Sequence, residues 1–400
     1  MILDGVRVLD FSQYLAGAGV TRLMAELGAE IIKIEQAPGG DPGRLIPFLR
    51  DGRSGFFVQQ NRGKQSLCLD MRKEEARQIC LDLAKECDVV LENFGPGVMD
   101  KRGFTWERFK ALNPRLILCS VSAFGRDSPL SHKTGFDWIV QAFAGLMHMT
   151  GPKDGPPHPI GLSLCDGTSA VSAFGAIMAA LYHRERTGEG QYLDLSMVDI
   201  MYQMHEANVQ GPSLTNGAFV PHRMGSHHEL VCPMGVFKGP TGYIVIMVLD
   251  LQWPNMCEAL GRPDLVAHPD YATGQLRAAR KECIVEMIEG WMATFPDDDA
   301  VLAALEAARV PSGPVLSPTE ALEHPYYRER GTIREVDDPL LGRVKIPGFP
   351  FRFSAQPELP DLTAPLLGQH NAEILGGVLG YDSARIAALA DAGVLVSGKT

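Results

Sequence analysis

The sequence predicts an α/β protein with a doubly wound, mostly parallel sheet. Three observations lead there. Short β-rich runs alternate with helical stretches through roughly the first 200 residues. Glycine- and proline-rich turns separate them. The pattern changes character beyond about residue 225, so the repeats form one unit and something smaller follows.

The elements can be justified in order. VRVLDF is β-rich, SQYLAGAG is a small-residue turn, VTRLMAELG is amphipathic and ends at Gly28, and AEIIKIE is a second strand. This is a βαβ unit. Its turn carries Gly17 and Gly19, but Arg22 stands where a dinucleotide fingerprint needs its third glycine. Glu35 ends the second strand, where an NAD-binding protein places its ribose-binding acid; the partial match supports the crossover more than the nucleotide. APGGDPGRLIPF is a loop. In or near it, Arg44 and Arg53 are read as solvated cations or anion ligands. SLCLDM, a helix over about 73–86 and DVVLENF repeat the theme, as do a helix over 105–112 and a strand over 116–122. Arg72 and Asn93 fall near strand ends, where open α/β sheets bind ligands. Later, 234–248 reads as a hairpin, followed by helices near 252–260, 276–294 and 298–308, and a β-rich tail from about 330.

Composition bounds the function. The chain has 400 residues, 45% hydrophobic and 21% charged, with a formal net charge of −11. An acidic chain does not suit a partner bound through many phosphates, so no nucleic-acid partner is expected. The uncharged run 170–181 is too short to cross a bilayer, and no signal peptide is visible, so a cytoplasmic protein without a membrane partner is expected. Eight dispersed cysteines without CxxC fit reduced thiols rather than disulfides or zinc. His227 and His228 are adjacent, but no spaced carboxylates complete a metal site, so no metal is expected.

The stretch 158–199 holds the chemistry. An apolar run, Ile160 to Cys165, meets Asp166 and then a small-residue helix. Locally, Asp166 reads as a helix N-cap or as a nucleophile, and both stay open. Cys165 reads as packing, since nothing aligns a histidine base with it.

Taken together, GVRVLDFSQYLAGAGVTRLMAELGAEIIKIE, NRGKQSLCLDM, VVLENFGPGVMDKRGF, LNPRLILCSVSAFG, LYHRERTGEGQYLDLSM and PLLGQHNAEIL resemble the class III CoA-transferase family. That family includes formyl-CoA transferase, carnitine CoA-transferase and α-methylacyl-CoA racemase. The resemblance runs in order from residue 5 to about 390. It implies a Rossmann-like large domain from both chain ends (1–200 and 330–400), a smaller α+β domain (225–325), linkers at 201–224 and 326–329, and an interlocked homodimer. It makes Asp166 the nucleophile that exchanges CoA between an acyl-CoA and a carboxylic acid, with no cofactor beyond CoA as substrate. CoA- and substrate-binding positions carry over to Leu15, Ala16, Leu69, Arg72, Asn93, Phe94, Gly95, Lys101, Lys133, Phe136 and Asp137. Leu15 replaces the glutamine of formyl-CoA transferase and Ala18 a frequent proline, which counts against formyl-CoA/oxalate specificity. Phe136 stands where the racemase branch has its catalytic histidine, which counts against an α-carbon isomerase. A dicarboxylic acceptor is expected instead, with Arg44, Gly225, His227 or His228 as candidates for its second carboxylate. The remaining alternatives are a non-catalytic CoA-binding protein and an NAD-dependent oxidoreductase.

Overall fold

The structure is a computed structural model that describes residues 1–399. The chain divides into two compact units, one of residues 1–145, 160–207 and 328–400, the other of 146–159 and 208–327. Residues 146–159, assigned from sequence to the large domain, thus pack with the second unit.

The first unit is built on six strands: β1 (Arg7–Asp10), β2 (Glu30–Gln36), β3 (Lys64–Leu69), β4 (Val89–Glu92), β5 (Ile117–Ser122) and β6 (Tyr192–Ser196). All pairs are parallel, in the order β3-β2-β1-β4-β5-β6. Strand order reverses between β1 and β4, so the crevice at their C-terminal ends is where such a sheet receives ligands. The strands are nearly continuous apolar runs because both faces are covered: Leu9, Ile32, Leu67 and Val90 are buried with residues of α2 (Glu74–Lys85) and the 371–379 segment. Other helices are α1 (Ala18–Glu26), α3 (Trp106–Leu112), α4 (Asp137–Phe143) and α5 (Leu164–Thr187). The C-terminal chain returns to the edge strand, where Asn371 Oδ1 accepts the Cys68 N–H at 2.9 Å.

The loop arginines differ from the sequence reading. Arg44 is buried against Glu35, with Nε–Oε2 at 2.8 Å and Nη2–Oε1 at 2.6 Å, and its guanidinium lies 3.7 Å from the Phe57 ring centre. Arg53 is buried against Asp338 at 2.7 Å and the carbonyls of Ala364 and Pro365. Neither is solvated. Glu35 also accepts from Ser66 Oγ at 2.6 Å and from the Asp41 N–H at 2.9 Å, so it is committed to the core and not presented to a ribose.

Residues 160–163 form no strand, and α5 begins at Leu164. Asp166 therefore lies inside the first turn instead of before it. α5 is also longer than its uncharged run: its 24 residues are enough, by length and composition, to cross a membrane. It packs instead on α1, α4 and β5, with Arg184 paired to Asp88 at 2.8 Å.

The second unit has its own core. Strands Met234–Lys238, Tyr243–Met247 and Ser312–Pro314 form an antiparallel sheet. Phe237, Ile244 and Ile246 bury against Trp253, Ile284, Ile288 and Leu305 of its helices.

Candidate active site

The turns after β1, β4 and β5 enclose a cavity of about 200 Å³. Its wall includes Gln13, Tyr14 and Ala16 after β1, Asn93 to Pro96 after β4, and Ser122 to Arg126 at and after the end of β5. Lys133, Phe136 and Asp166 also line it. The two innermost turns are tied together: Asn93 Oδ1 accepts the Gln13 N–H at 2.8 Å, and Asn93 Nδ2 donates to the Gln13 carbonyl at 2.9 Å. Gly17 is needed there, since a Cβ would lie 2.4 Å from Ser12 Cβ and 3.2 Å from Asn93 Cγ. A buried charge network lies under the first turn. Lys33 Nζ is 2.8 Å from Asp41 Oδ2 and donates to the Ser12 carbonyl, and Lys64 Nζ donates to Asp10 Oδ2 at 3.1 Å.

Asp166 is half-buried in the first turn of α5. Its side chain does not cap the helix, and neither does that of Ser163, the N-cap residue. Its backbone N–H instead donates to Asp137 Oδ2 at 3.0 Å. Burial, reinforced by the nearby Asp137 charge, pushes the Asp166 carboxyl up to about 7. The helix N-terminus alone would lower it, so burial and the like charge prevail. Cys165 is buried, and burial together with Asp137 and Asp166 raises its thiol to about 12. Its thiolate is therefore scarce at neutral pH.

The predicted residues divide into groups. Ala16, Asn93, Phe94, Gly95, Lys133, Phe136 and Asp166 meet at the cavity. Asp137 is buried behind it, touching Asp166 through the backbone. Leu15, Leu69, Arg72 and Lys101 lie outside its lining. Leu69 is fully buried at the end of β3, and Lys101 is exposed at the end of a short helix, Val98–Lys101. Arg72 is exposed and forms two 2.8 Å bonds to Asp70, with which a phosphate would have to compete. Arg44 is withdrawn into the core, as described above, and offers no exposed cation for an acid. Gly225, His227 and His228 belong to the second unit. There Gly225 is a positive-φ turn residue, His227 packs edge-on to Phe237, and His228 Nδ1 accepts the N–H groups of Leu230 and Val231.

Sequence reasoning did not single out Tyr14, Arg126 or Gln141. Tyr14 has φ 59°, an uncommon value for a side-chain-bearing residue, with its N–H donating to Asp41 Oδ1 at 3.2 Å. Arg126 lines the cavity while its Nη2 bonds both oxygens of Glu92 at 2.9 Å and the Phe94 carbonyl at 2.7 Å. The position of Arg126 just past a strand end was a usable signal. The helical spacing of Gln141 from Asp137 was another.

Residues 3–371 match the model for CoA-transferase family III. A succinyl-CoA:mesaconate CoA-transferase of Haloarcula hispanica is 39% identical, over 93% of this chain and 95% of that protein. A formyl-CoA:oxalate CoA-transferase of Streptomyces avermitilis is 34% identical, over 98% and 99%. A succinyl-CoA:glutarate CoA-transferase of Mus musculus is 33% identical, over 100% and 91%. Among solved structures, a CAIB/BAIF family protein from Brucella suis superposes with a TM-score of 0.82 at 32% identity, covering 94% of this chain and 98% of its own.

Proposed function

We propose, from the premise that this chain belongs to CoA-transferase family III and is a CoA-transferase, that it moves CoA from an acyl-CoA to a free dicarboxylic acid through Asp166. The main support is the position of Asp166 on a cavity formed by strand-end turns at the sheet's switch point. The names of several relatives pair succinyl-CoA with mesaconate, glutarate or citramalate, which favours a dicarboxylate on both sides of the exchange.

A carboxylate suits this exchange because the acyl group and CoA each pass through one oxygen-bound carbonyl. An Asp166 oxygen attacks the thioester carbonyl carbon. The C–S bond breaks, CoA leaves as thiolate, and a mixed anhydride remains. The thiolate attacks the Asp166 carbonyl carbon, and the bond between Asp166 Cγ and the bridging oxygen breaks, that oxygen leaving with the donor acyl group. The donor acid leaves, and an aspartyl-CoA thioester remains. The acceptor carboxylate attacks that thioester, CoA leaves and re-attacks the acceptor's carbonyl, and Asp166 is regenerated. No net proton is consumed. Covalent catalysis divides one difficult exchange into easier steps. Asn93, Phe94, Gly95 and Lys133 on the wall would hold the CoA chain and its phosphates, with Arg72 beyond the edge strand β3 and Lys101 on the short helix after β4.

The working molecule in this reading is a homodimer. One chain leaves Trp138, Ile139, Phe143, Val171 and Tyr182 exposed on α4 and α5, an apolar surface that a partner would cover.

The test is mass spectrometry of the protein incubated with succinyl-CoA, with and without hydroxylamine. Asp166 should carry an acyl or CoA adduct; hydroxylamine should discharge the CoA thioester as free CoA, leaving a hydroxamate on Asp166, and should convert the anhydride to an acyl or aspartyl hydroxamate. Asp166→Ala should bind CoA and transfer none. An unmodified Asp166 across a panel of acyl-CoA donors, or transfer that survives Asp166→Ala, would refute the reading.

A further inference from the structure

The first turn of a helix leaves backbone N–H groups without intrahelical partners, and a side chain at the N-cap usually takes one. In α5 that side chain is missing, since Ser163 makes no cap bond. The acceptor comes from another helix. Asp137 opens α4, is buried, and its Oδ2 accepts the N–H of Asp166 at 3.0 Å. Its Oδ1 accepts Gln141 Nε2 at 2.6 Å, one turn further along α4. Gln141 is fully buried, and its amide bridges Asp137 and the segment that feeds α5. Its Oε1 accepts the Ile160 N–H at 2.9 Å, and its Nε2 donates to the Leu162 carbonyl at 3.3 Å.

We propose that Asp137 and Gln141 are positioning residues for Asp166: Asp137 caps α5 from outside, and Gln141 fixes both Asp137 and residues 160–162. The inference rests on Asp166 being the nucleophile. It gives Asp137, expected from the resemblance to bind CoA or substrate, a different task. Both carboxylate oxygens face inward, so Asp137 acts through Asp166 rather than on the substrate.

The arrangement has an electrostatic consequence that a purely structural clamp would lack. Asp137 places a second carboxylate at the same helix end, and the Asp166 carboxyl is raised to about 7 by burial and by that charge. The other charged groups that line the cavity are Lys133 and Arg126, the latter already paired to Glu92. The neighbouring Cys165 thiol is neutral at this pH. Removing the Asp137 charge should therefore make Asp166 easier to ionise while loosening its placement.

The experiment is the pH dependence of kcat/KM for wild type, Asp137→Asn and Gln141→Met, with succinyl-CoA and a dicarboxylic acceptor. In Asp137→Asn the acid limb should move down by about one pH unit, with kcat about 10-fold lower at pH 8 and KM for the acyl-CoA within about 2-fold. Gln141→Met keeps the charge, so it should lower kcat by a similar factor without moving the limb downward. Should Asp137→Asn not fold, Asp137→Ser keeps an acceptor without the charge and should shift the limb the same way. An acid limb coincident with wild type in the folded uncharged variant overturns the proposal. Asp166→Ala, run alongside, separates the two ideas. If it still transfers CoA, the nucleophile assignment fails; if it is dead and the limb does not move, only the positioning role fails.

Discussion

At Asp166 two physical effects oppose one another. A carboxylate in the first turn of a helix gains about 0.3–1 kcal/mol from the aligned peptide dipoles. Burial and the Asp137 charge act the other way and win, leaving the midpoint at about 7 instead of 3.8. In the proposed mechanism Asp166 attacks as the carboxylate, so transfer should rise with pH through about 7 and level off above it. A pH–rate profile flat from 5.5 to 8.5 would contradict this. The same shift has a stability consequence of opposite sense. A carboxyl with a raised midpoint holds its proton more tightly in the folded chain, so the folded state loses stability as pH rises from about 4 to about 7. Asp166→Asn removes that charge. It should stabilise the protein at pH 8, on the order of 1 kcal/mol, and gain little or nothing at pH 4.5. Thermal melts at the two pH values measure the difference, and an equal gain at both would discount the burial term. The raised midpoint was not legible in the sequence, because it comes first from burial by the folded chain and then from Asp137, which reaches Asp166 from 29 residues away.

Among elements, the turn after β1 connects core to site. It holds Gln13 and Tyr14 on the cavity wall, and it stays there through Asn93 on one side and the buried Asp10, Lys33, Asp41 and Lys64 on the other. Gly17→Ala would push a methyl into Ser12 and Asn93. Overpacking of this kind typically costs about 1–3 kcal/mol. Here it would part the β1 and β4 turns as well, so calorimetry should find CoA affinity at least about 10-fold weaker along with the lower melting point. Unchanged affinity would mean that the turn is not part of the binding wall. The strands and turns of this region were readable, because continuous apolar runs between glycine-rich turns have few other folds open to them. The fate of Arg44 was not. A loop of glycine and proline reads as solvated, yet Glu35 lies within 2.6 Å and burial makes such a pair costly to break. The helix start was misplaced for a related reason. Ile160 to Cys165 is an apolar run, but Gln141 takes the Ile160 N–H and the Leu162 carbonyl where a ladder would have to run, and α5 starts at Leu164.

For the molecule as a whole, the exposed apolar side chains are the feature that a lone chain leaves unexplained. Val171 and Tyr182 lie on α5, and Trp138, Ile139 and Phe143 on α4, at 45–67% exposure. These two helices also carry Asp166 and Asp137, the proposed nucleophile and its proposed cap. Leaving this surface in water costs about 25 cal/mol per Å² relative to covering it. The proposed homodimer would recover that energy and stiffen the site at the same time. Light scattering should therefore find twice the 43.5 kDa of one chain, and dilution should lower the melting temperature, since association stabilises by mass action. Val171→Glu together with Tyr182→Glu should shift the mass toward one chain. Because the cap and nucleophile sit on the uncovered helices, CoA exchange should fall in step with the loss of dimer. A monomeric wild type, or a doubly charged variant that stays dimeric and fully active, would show that this face serves some other contact.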